Sequence, residues 1–195
     1  MILYLHGFKS SPSSTKARQI GAALAAQGRD AEYRCPQLPA SPAQAIALAM
    51  AIAGGASPAD LCLIGSSLGG YYATWMAERL GCRAVLLNPA VQPLRSLEQY
   101  VGISRAYHSD EAFEFKASYI DELRALAMPR ISRPERYFLL AATGDEVLDW
   151  REMAAHYPGA RHCIIDGSDH GISNFSDHLA AVLAFCDAPC RTPAA

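Results

Sequence analysis

The chain has 195 residues, of which 51% are hydrophobic and 18% are charged, and its formal net charge at pH 7 is −2. This composition provides enough apolar side chains for one packed domain and excludes an intrinsically disordered chain. The small net charge and the absence of any run of Lys or Arg argue against nucleic acid or an anionic membrane surface as the main partner. We therefore expect a small-molecule partner.

The N-terminus lacks the features of a targeting segment. Residues 1–7 contain no basic region, no long apolar region and no small-residue cleavage site, so they do not form a signal peptide. No apolar stretch is long enough to cross a bilayer, and the six scattered cysteines form no C-x-x-C pair. We expect a cytoplasmic protein with reduced thiols and no metal site.

Short apolar runs alternate with helical patterns along most of the chain. The apolar runs predict six strands, at 2–5, 32–35, 61–64, 84–87, 137–142 and 162–165. The helical patterns predict five helices, at 15–27, 42–53, 67–80, 150–156 and 175–185. Strands that are apolar almost throughout and alternate with helices favour an α/β fold, with a mainly parallel six-stranded sheet and helices on both faces. A single domain over 1–195 accounts for all of these elements.

The segment 91–134 interrupts this alternation. It is richer in charged residues and aromatic residues and shows no strand signal, so we expect a helical or irregular insertion. Its aromatic residues are Tyr100, Tyr107, Phe113, Phe115 and Tyr119. The insertion lies between two predicted strands, and we expect it to form a cap or lid.

The most informative motif follows the third predicted strand, where the chain reads Gly65-Ser66-Ser67-Leu68-Gly69. This is the G-x-S-x-G pattern between a buried strand and an apolar helix, the context in which it forms a nucleophile elbow. The glycines leave room for the neighbouring strand and helix at a strained turn. A turn that merely joins the strand to the helix would have the same small residues, but it predicts nothing elsewhere in the chain.

An acid and a histidine follow two later strands. Asp145 stands in the loop after the fifth predicted strand, and His170 stands in a glycine-flanked loop after the sixth. The order Ser…Asp…His is that of α/β-hydrolases, and the carboxyl ends of parallel strands share one edge of a sheet. We therefore predict Ser67 as nucleophile, His170 as base and Asp145 as acid. Glu146 and Asp149 lie within reach as alternative acids.

This trio predicts nucleophilic catalysis. A neutral imidazole takes the proton of the attacking hydroxyl, and a buried carboxylate holds the correct tautomer and stabilises the imidazolium. Backbone N–H groups should bind the developing oxyanion. We predict that Leu68, after the nucleophile, and Phe8, in the loop after the first strand, provide them. His6 is expected to brace that loop.

Beyond these motifs, the chain resembles the YqiA-type esterases, which are small intracellular α/β-hydrolases. The resemblance covers nearly the whole chain and is carried by 4–8 (YLHGF), 10–12 (SSP), 64–71 (IGSSLGGY), 88–90 (NPA), 143–149 (TGDEVLD) and 167–170 (GSDH). It implies hydrolysis of carboxylic esters or thioesters without a cofactor, with the triad on Ser67, Asp145 and His170. The resemblance limits the type of reaction, but it does not identify the substrate.

Apolar residues near the nucleophile and in the insertion are candidates for substrate binding. Tyr71, Val91 and Leu94 could line an acyl pocket over Ser67, or they could simply pack the insertion onto the sheet. The leading interpretation is a serine esterase acting on small or medium acyl esters. An acyl-CoA or other thioesterase would use the same triad. A non-catalytic binding module is disfavoured, because binding alone does not require all of these parts.

Overall fold

In a computed structural model, which describes residues 1–105 and 112–188, six strands form the central sheet. In chain order the strands are β1 (Ile2–Leu5), β2 (Tyr33–Arg34), β3 (Cys62–Ser66), β4 (Arg83–Leu87), β5 (Gly102–Arg105), β6 (Ala112–Phe115), β7 (Tyr137–Ala142) and β8 (Arg161–Ile165). The sheet has the order β2-β1-β3-β4-β7-β8, and each of its pairings is parallel. The predicted parallel six-stranded sheet is confirmed.

Helices cover both faces of this sheet. They are α1 (Thr15–Ala26), α2 (Pro42–Ala53), α3 (Leu68–Leu80), α4 (Leu94–Leu97), α5 (Ser118–Ala125), α6 (Trp150–His156) and α7 (Leu179–Asp187). The core residues of α1 and α7 pack with Ile2 and Tyr4 on one face of β1, and those of α2, α3 and α6 belong to the cluster that contains Leu3 and Leu5 on the other. Successive strand residues point to opposite faces, so β1 contributes to both cores. None of the described helices is long and apolar enough to cross a membrane.

The insertion at 91–134, called the cap below, differs in one respect from the prediction. Besides α4 and α5 it contains the antiparallel hairpin of β5 and β6, which corrects the expectation of an insertion without strands. The segment Ala112–Phe115 has phenylalanines at 113 and 115 on either side of Glu114, but four residues are too few to give a clear strand period. Tyr107 lies outside the described residues.

The cap is attached to the helical layer beside the sheet. Glu122 of α5 accepts hydrogen bonds from the Ser41 hydroxyl, at 2.6 Å, and from the Ala43 N–H, at 2.9 Å. These groups lie at the N-terminus of α2, where N–H groups have no acceptor within the helix. Leu123, one residue further along α5, is fully buried. The cap therefore docks through its C-terminal helix.

Candidate active site

Ser67 lies at a sharp turn between β3 and α3. Its φ of 53° and ψ of −121° are values that a residue with a side chain rarely adopts. The turn allows no side chain at its two glycines. A Cβ on Gly69 would lie 1.9 Å from the Leu5 carbonyl oxygen, and one on Gly65 would lie 2.3 Å from the Gly69 carbonyl oxygen. Close backbone contacts thus explain the glycines of the G-x-S-x-G pattern.

His170 contacts both of the other residues in the predicted trio. Its Nε2 lies 3.1 Å from the Ser67 hydroxyl oxygen, and its Nδ1 lies 2.8 Å from Asp145 Oδ2. Because an ionised carboxylate only accepts, the Nδ1 that faces it must carry the ring proton. Nε2 is then the acceptor for the serine hydroxyl. The fold thus brings the three side chains together in an arrangement that permits transfer of the serine proton to the imidazole.

The Asp145 side chain has no exposed surface. Its second oxygen, Oδ1, accepts hydrogen bonds from the N–H groups of Val147, at 2.8 Å, and Leu148, at 2.9 Å. Buried carboxylates require such partners, since an unpaired buried charge is costly. The two backbone donors also fix the direction in which Oδ2 faces the ring of His170.

The two alternative acids have other contacts. The Glu146 carboxylate accepts a hydrogen bond from the main-chain N–H of His170, at 3.0 Å. Asp149 caps the N-terminus of α6 by accepting the Arg151 N–H at 2.9 Å, as its position before that helix suggests. Across residues 1–105 and 112–188, no three His, Cys, Asp or Glu side chains are grouped so that they could hold a metal ion.

The loop after β1 packs directly against the nucleophile. A Cβ on Gly7 would lie 3.1 Å from Ser67 Cβ. The buried ring of His6 hydrogen-bonds the Gly7 carbonyl oxygen through Nδ1, at 3.0 Å, and the Leu38 N–H through Nε2, at 3.0 Å. A neutral imidazole with its proton on Nδ1 satisfies both contacts. His6 therefore braces the loop that leads to Phe8.

Aromatic residues of the cap pack on Phe8. The centroid of the Phe8 ring lies 5.1 Å from that of Phe115 and 5.5 Å from that of Tyr100. The Phe115 ring also contacts Tyr119, at 5.5 Å between centroids. Lys9 places its ammonium 4.6 Å from the centre of the Tyr100 ring, a cation–π distance. The cap thus rests on one of the two residues predicted to bind an oxyanion.

The three predicted substrate-binding residues have different environments. Tyr71 is buried and its hydroxyl donates to the Leu123 carbonyl oxygen of α5 at 2.9 Å, while burial raises its pKa to about 12. Leu94 is half-buried against the core. Val91 lines a cavity of about 230 Å³ between the loop after β4 and the segment around α6. The other lining residues include Pro89, Arg95, Val147, Leu148 and Met153.

Sequence patterns did not identify three of the contacts to the histidine loop. Glu146 binds the backbone of His170 rather than its ring, and Asn88, noted only within the NPA segment, hydrogen-bonds the same loop. Lys16 donates to the Gly171 carbonyl oxygen at 2.5 Å. Burial lowers the Lys16 pKa to about 8, although the charges of Asp169 and Asp145 oppose this shift. The sequence feature that could have indicated a role for Asn88 is its position directly after a buried strand, at the sheet edge where active sites of this kind of sheet lie.

Comparison with known proteins agrees with this architecture. The sequence model of an uncharacterised protein family (UPF0227) matches residues 1–187. A candidate hydrolase from Agrobacterium vitis S4 is 18% identical with a TM-score of 0.71, covering 95% of this chain and 87% of that one. Mouse alpha/beta hydrolase domain-containing protein 10 is 15% identical with a TM-score of 0.68, covering 94% and 89%. An esterase domain from Rhodothermus marinus is 22% identical with a TM-score of 0.61, covering 93% and 82%. The chain has the α/β-hydrolase fold.

Proposed function

The chain belongs to the uncharacterised protein family UPF0227, which confirms its resemblance to the YqiA-type esterases, and from this premise we propose that it is a serine esterase. The proposed reaction is hydrolysis of small or medium acyl carboxylic esters through an acyl-enzyme intermediate. One observation carries the proposal: His170 lies 3.1 Å from the Ser67 hydroxyl and 2.8 Å from the buried Asp145 carboxylate.

In this reaction, Ser67 Oγ attacks the ester carbonyl carbon while His170 Nε2 takes the hydroxyl proton. The tetrahedral intermediate collapses, the bond to the alcohol oxygen breaks, and His170 returns the proton to the leaving alcohol. A water molecule, deprotonated by His170, then attacks the carbonyl carbon of the acyl group on Ser67, and His170 returns the proton to Ser67 Oγ as the bond between that oxygen and the acyl carbon breaks. The carboxylic acid leaves and the serine hydroxyl is restored. Asp145 stays ionised and stabilises the imidazolium in both halves of the cycle.

The proposed oxyanion hole consists of the N–H groups of Leu68 and Phe8. Leu68 is the first residue of α3, and the first N–H groups of a helix have no acceptor within it. The helix dipole at this end also favours negative charge. The support for Phe8 is that Gly7, its neighbour, packs against Ser67 Cβ. Loss of one such donor typically costs about 3 kcal/mol of transition-state stabilisation.

The proposed acyl size follows from the space near the triad. The cavity beside Val91 has a volume of about 230 Å³, smaller than the roughly 300–1,000 Å³ of most sites for drug-sized ligands. The cavity lies near the site, because the lining residue Leu148 donates its N–H to Asp145, and the lining residues Pro89 and Val91 flank Ala90, whose N–H donates to the Ser67 carbonyl oxygen. A small acyl group suits this volume better than a long chain. The esterase domain from Rhodothermus marinus, which has the same fold, supports ester chemistry.

Labelling with a fluorophosphonate, with the adduct mapped by mass spectrometry, tests the proposal. We expect modification of Ser67, no labelling in Ser67→Ala and strongly reduced labelling in His170→Ala. Ser66→Ala is the matched control, because it removes the adjacent serine and should leave labelling intact. A folded protein that remains unlabelled would support a non-catalytic binding module instead.

Ester and thioester substrates with one common acyl chain separate the two hydrolytic alternatives. A higher kcat/KM for the ester is expected for the proposed esterase. A higher value for the thioester would assign the same triad to a thioesterase. In either case Ser67→Ala should abolish turnover, which ties the measured rate to this site.

A further inference from the structure

Asn88 lies where the three loops of the site meet. It follows β4, the strand between β3 and β7, and its N–H donates to the Leu140 carbonyl oxygen of β7 at 2.9 Å. Its φ of 42° lies in the left-handed region, which asparagine tolerates better than most residues, and only 1% of its surface is exposed. Two residues later, Ala90 donates to the Ser67 carbonyl oxygen at 3.0 Å. The backbone around Asn88 is therefore attached to both the nucleophile turn and the acid strand.

The Asn88 side chain connects the histidine loop to the same framework. Its Nδ2 donates to the carbonyl oxygens of Asp169, at 3.0 Å, and His170, at 3.1 Å. Its Oδ1 accepts the N–H of Ala142, the last residue of β7, at 2.8 Å. All three partners are main-chain groups with a fixed donor or acceptor role, so only one orientation of the amide satisfies them. An Asp side chain would place a carboxylate oxygen against two carbonyl oxygens.

Two other side chains hold this loop, but they do so at the surface. Glu146 accepts the His170 N–H in a contact that is exposed to water, and Lys16, whose side chain is only partly buried, donates to the Gly171 carbonyl oxygen. Water competes for such hydrogen bonds, whereas the bonds of Asn88 are partly or fully buried. Asn88 therefore provides the shielded connection between the histidine loop and the sheet.

We infer that Asn88 is a positioning residue, which holds the His170 ring in line with Ser67 and Asp145 through its two hydrogen bonds to the loop backbone. This inference rests on the proposed hydrolase function. Proton transfer requires the 3.1 Å approach between His170 and Ser67. A misplacement of about 1 Å in a catalytic group can cost roughly 10²-fold in rate. Asn88 does not contact the reacting atoms, so its effect should fall on kcat.

The test compares Asn88→Asp with Asn174→Asp in the full-length protein. Asn174 also lies near the histidine loop, but its amide contacts the side chains of Ser168 and His178. For Asn88→Asp we expect kcat for ester hydrolysis to fall about 10²-fold with KM within threefold, because binding residues are untouched. We also expect the low-field proton resonance of the His170 Nδ1–H to weaken or broaden. Asn174→Asp should retain the wild-type kcat and the wild-type resonance.

Asn88→Ser is the second variant, since it keeps one hydrogen-bond donor and adds no charge. Its kcat should lie between those of the wild type and Asn88→Asp. A folded Asn88 variant with wild-type kcat and an unchanged Nδ1–H resonance would overturn the inference. Failure of both variants to fold would also overturn it, because Asn88 would then support the fold rather than the site. Absence of Ser67 labelling and of turnover in the wild type would instead remove the proposed function.

Discussion

The carboxyl edge of the sheet and the cap that packs on it are stabilised by different interactions. At the sheet edge, Asp145 has no exposed side-chain surface and Asn88 is 99% buried, and both bind main-chain groups. The cap contacts the loop after β1 through ring packing on Phe8, and it contacts α6 through an exposed ion pair between Arg95 and Glu152, at 3.2 Å. Exposed ion pairs contribute little to stability, and aromatic contacts tolerate changes of shape.

For the proposed esterase, this difference should separate the chemical step from the selectivity for substrates. Buried hydrogen bonds to the backbone have few acceptable geometries, so the sheet edge can hold reacting groups at fixed distances. Where the cap contacts the loop after β1 through apolar rings, its lining residues can change while the sheet edge stays intact. Substitutions at the sheet edge should therefore change kcat or the fold, and substitutions in the cap should change KM.

The largest effect is expected for His170→Ala. If His170 is the base, its removal should lower kcat by roughly 10⁴- to 10⁶-fold, as it does in serine hydrolases with a catalytic triad, because the hydroxyl proton then has no acceptor. The melting temperature should change little, since the ring is partly exposed. Ester hydrolysis and a thermal melt measure the two quantities. His162→Ala, at an exposed residue of β8, is the control and should retain full activity.

Asp145→Asn should be nearly as severe. An amide at this position can present its own N–H groups to Nδ1 and favour the wrong tautomer of His170, which cost about 10⁴-fold in kcat in a comparable triad. Glu146→Gln is the matched comparison and should lower kcat less than tenfold, because its carboxylate contacts only the loop backbone. Equal losses in the two variants would contradict the assignment of Asp145 as the acid.

Gly69→Ala should unfold the protein or destabilise it by more than about 3 kcal/mol. The new Cβ would lie 1.9 Å from the Leu5 carbonyl oxygen, and this main-chain atom of β1 cannot move away without disrupting the sheet. Urea unfolding measures this loss. Gly171→Ala is the control, because its nearest contact is an ordinary 3.5 Å to Asp169. A stable Gly69→Ala protein would show that the turn at Ser67 can accommodate a Cβ at this glycine.

A change in the cap should have a smaller effect of another kind. Phe115 is fully buried against Phe8, and Phe115→Leu should cost about 1–1.5 kcal/mol of unfolding free energy. We expect KM for an ester to rise severalfold with kcat within twofold, because the triad is not moved. Val101→Ala, at an exposed cap residue, should change neither constant. A loss confined to kcat would show that the cap also positions the reacting groups.

The smallest expected effect on activity accompanies a change in how stability depends on pH. Burial lowers the Lys16 pKa from the ordinary 10.5 to about 8, although the charges of Asp169 and Asp145 act in the opposite direction. Between these two values the unfolded chain holds more protons than the folded one, so the contribution of Lys16 to the unfolding free energy rises with pH. Lys16→Met should lose this rise. Urea unfolding of both proteins at pH 8 and pH 10 measures this rise. An identical change of the unfolding free energy with pH in the wild type and in Lys16→Met would contradict the lowered pKa.

Several features were predictable because their signals are local. Apolar runs located five of the six sheet strands closely, since buried parallel strands need apolar residues on both faces. The sixth, predicted at 32–35, is only the two-residue β2. The hairpin of β5 and β6 was missed because four-residue strands carry little periodic signal. Asn88 was not assigned a role, because its partners lie 54 or more residues away in the sequence.

Local chain chemistry is enough to locate the strained serine turn, the loops with the acid and the histidine, and the alternation of strands with helices. Each of these depends on residues that are close neighbours along the chain, such as the two glycines around Ser67. Only the tertiary structure determines the strand order, the packing of the cap on Phe8 and the hydrogen bonds that align His170. These arise from contacts between distant segments, and the geometry of such contacts depends on how every intervening element packs.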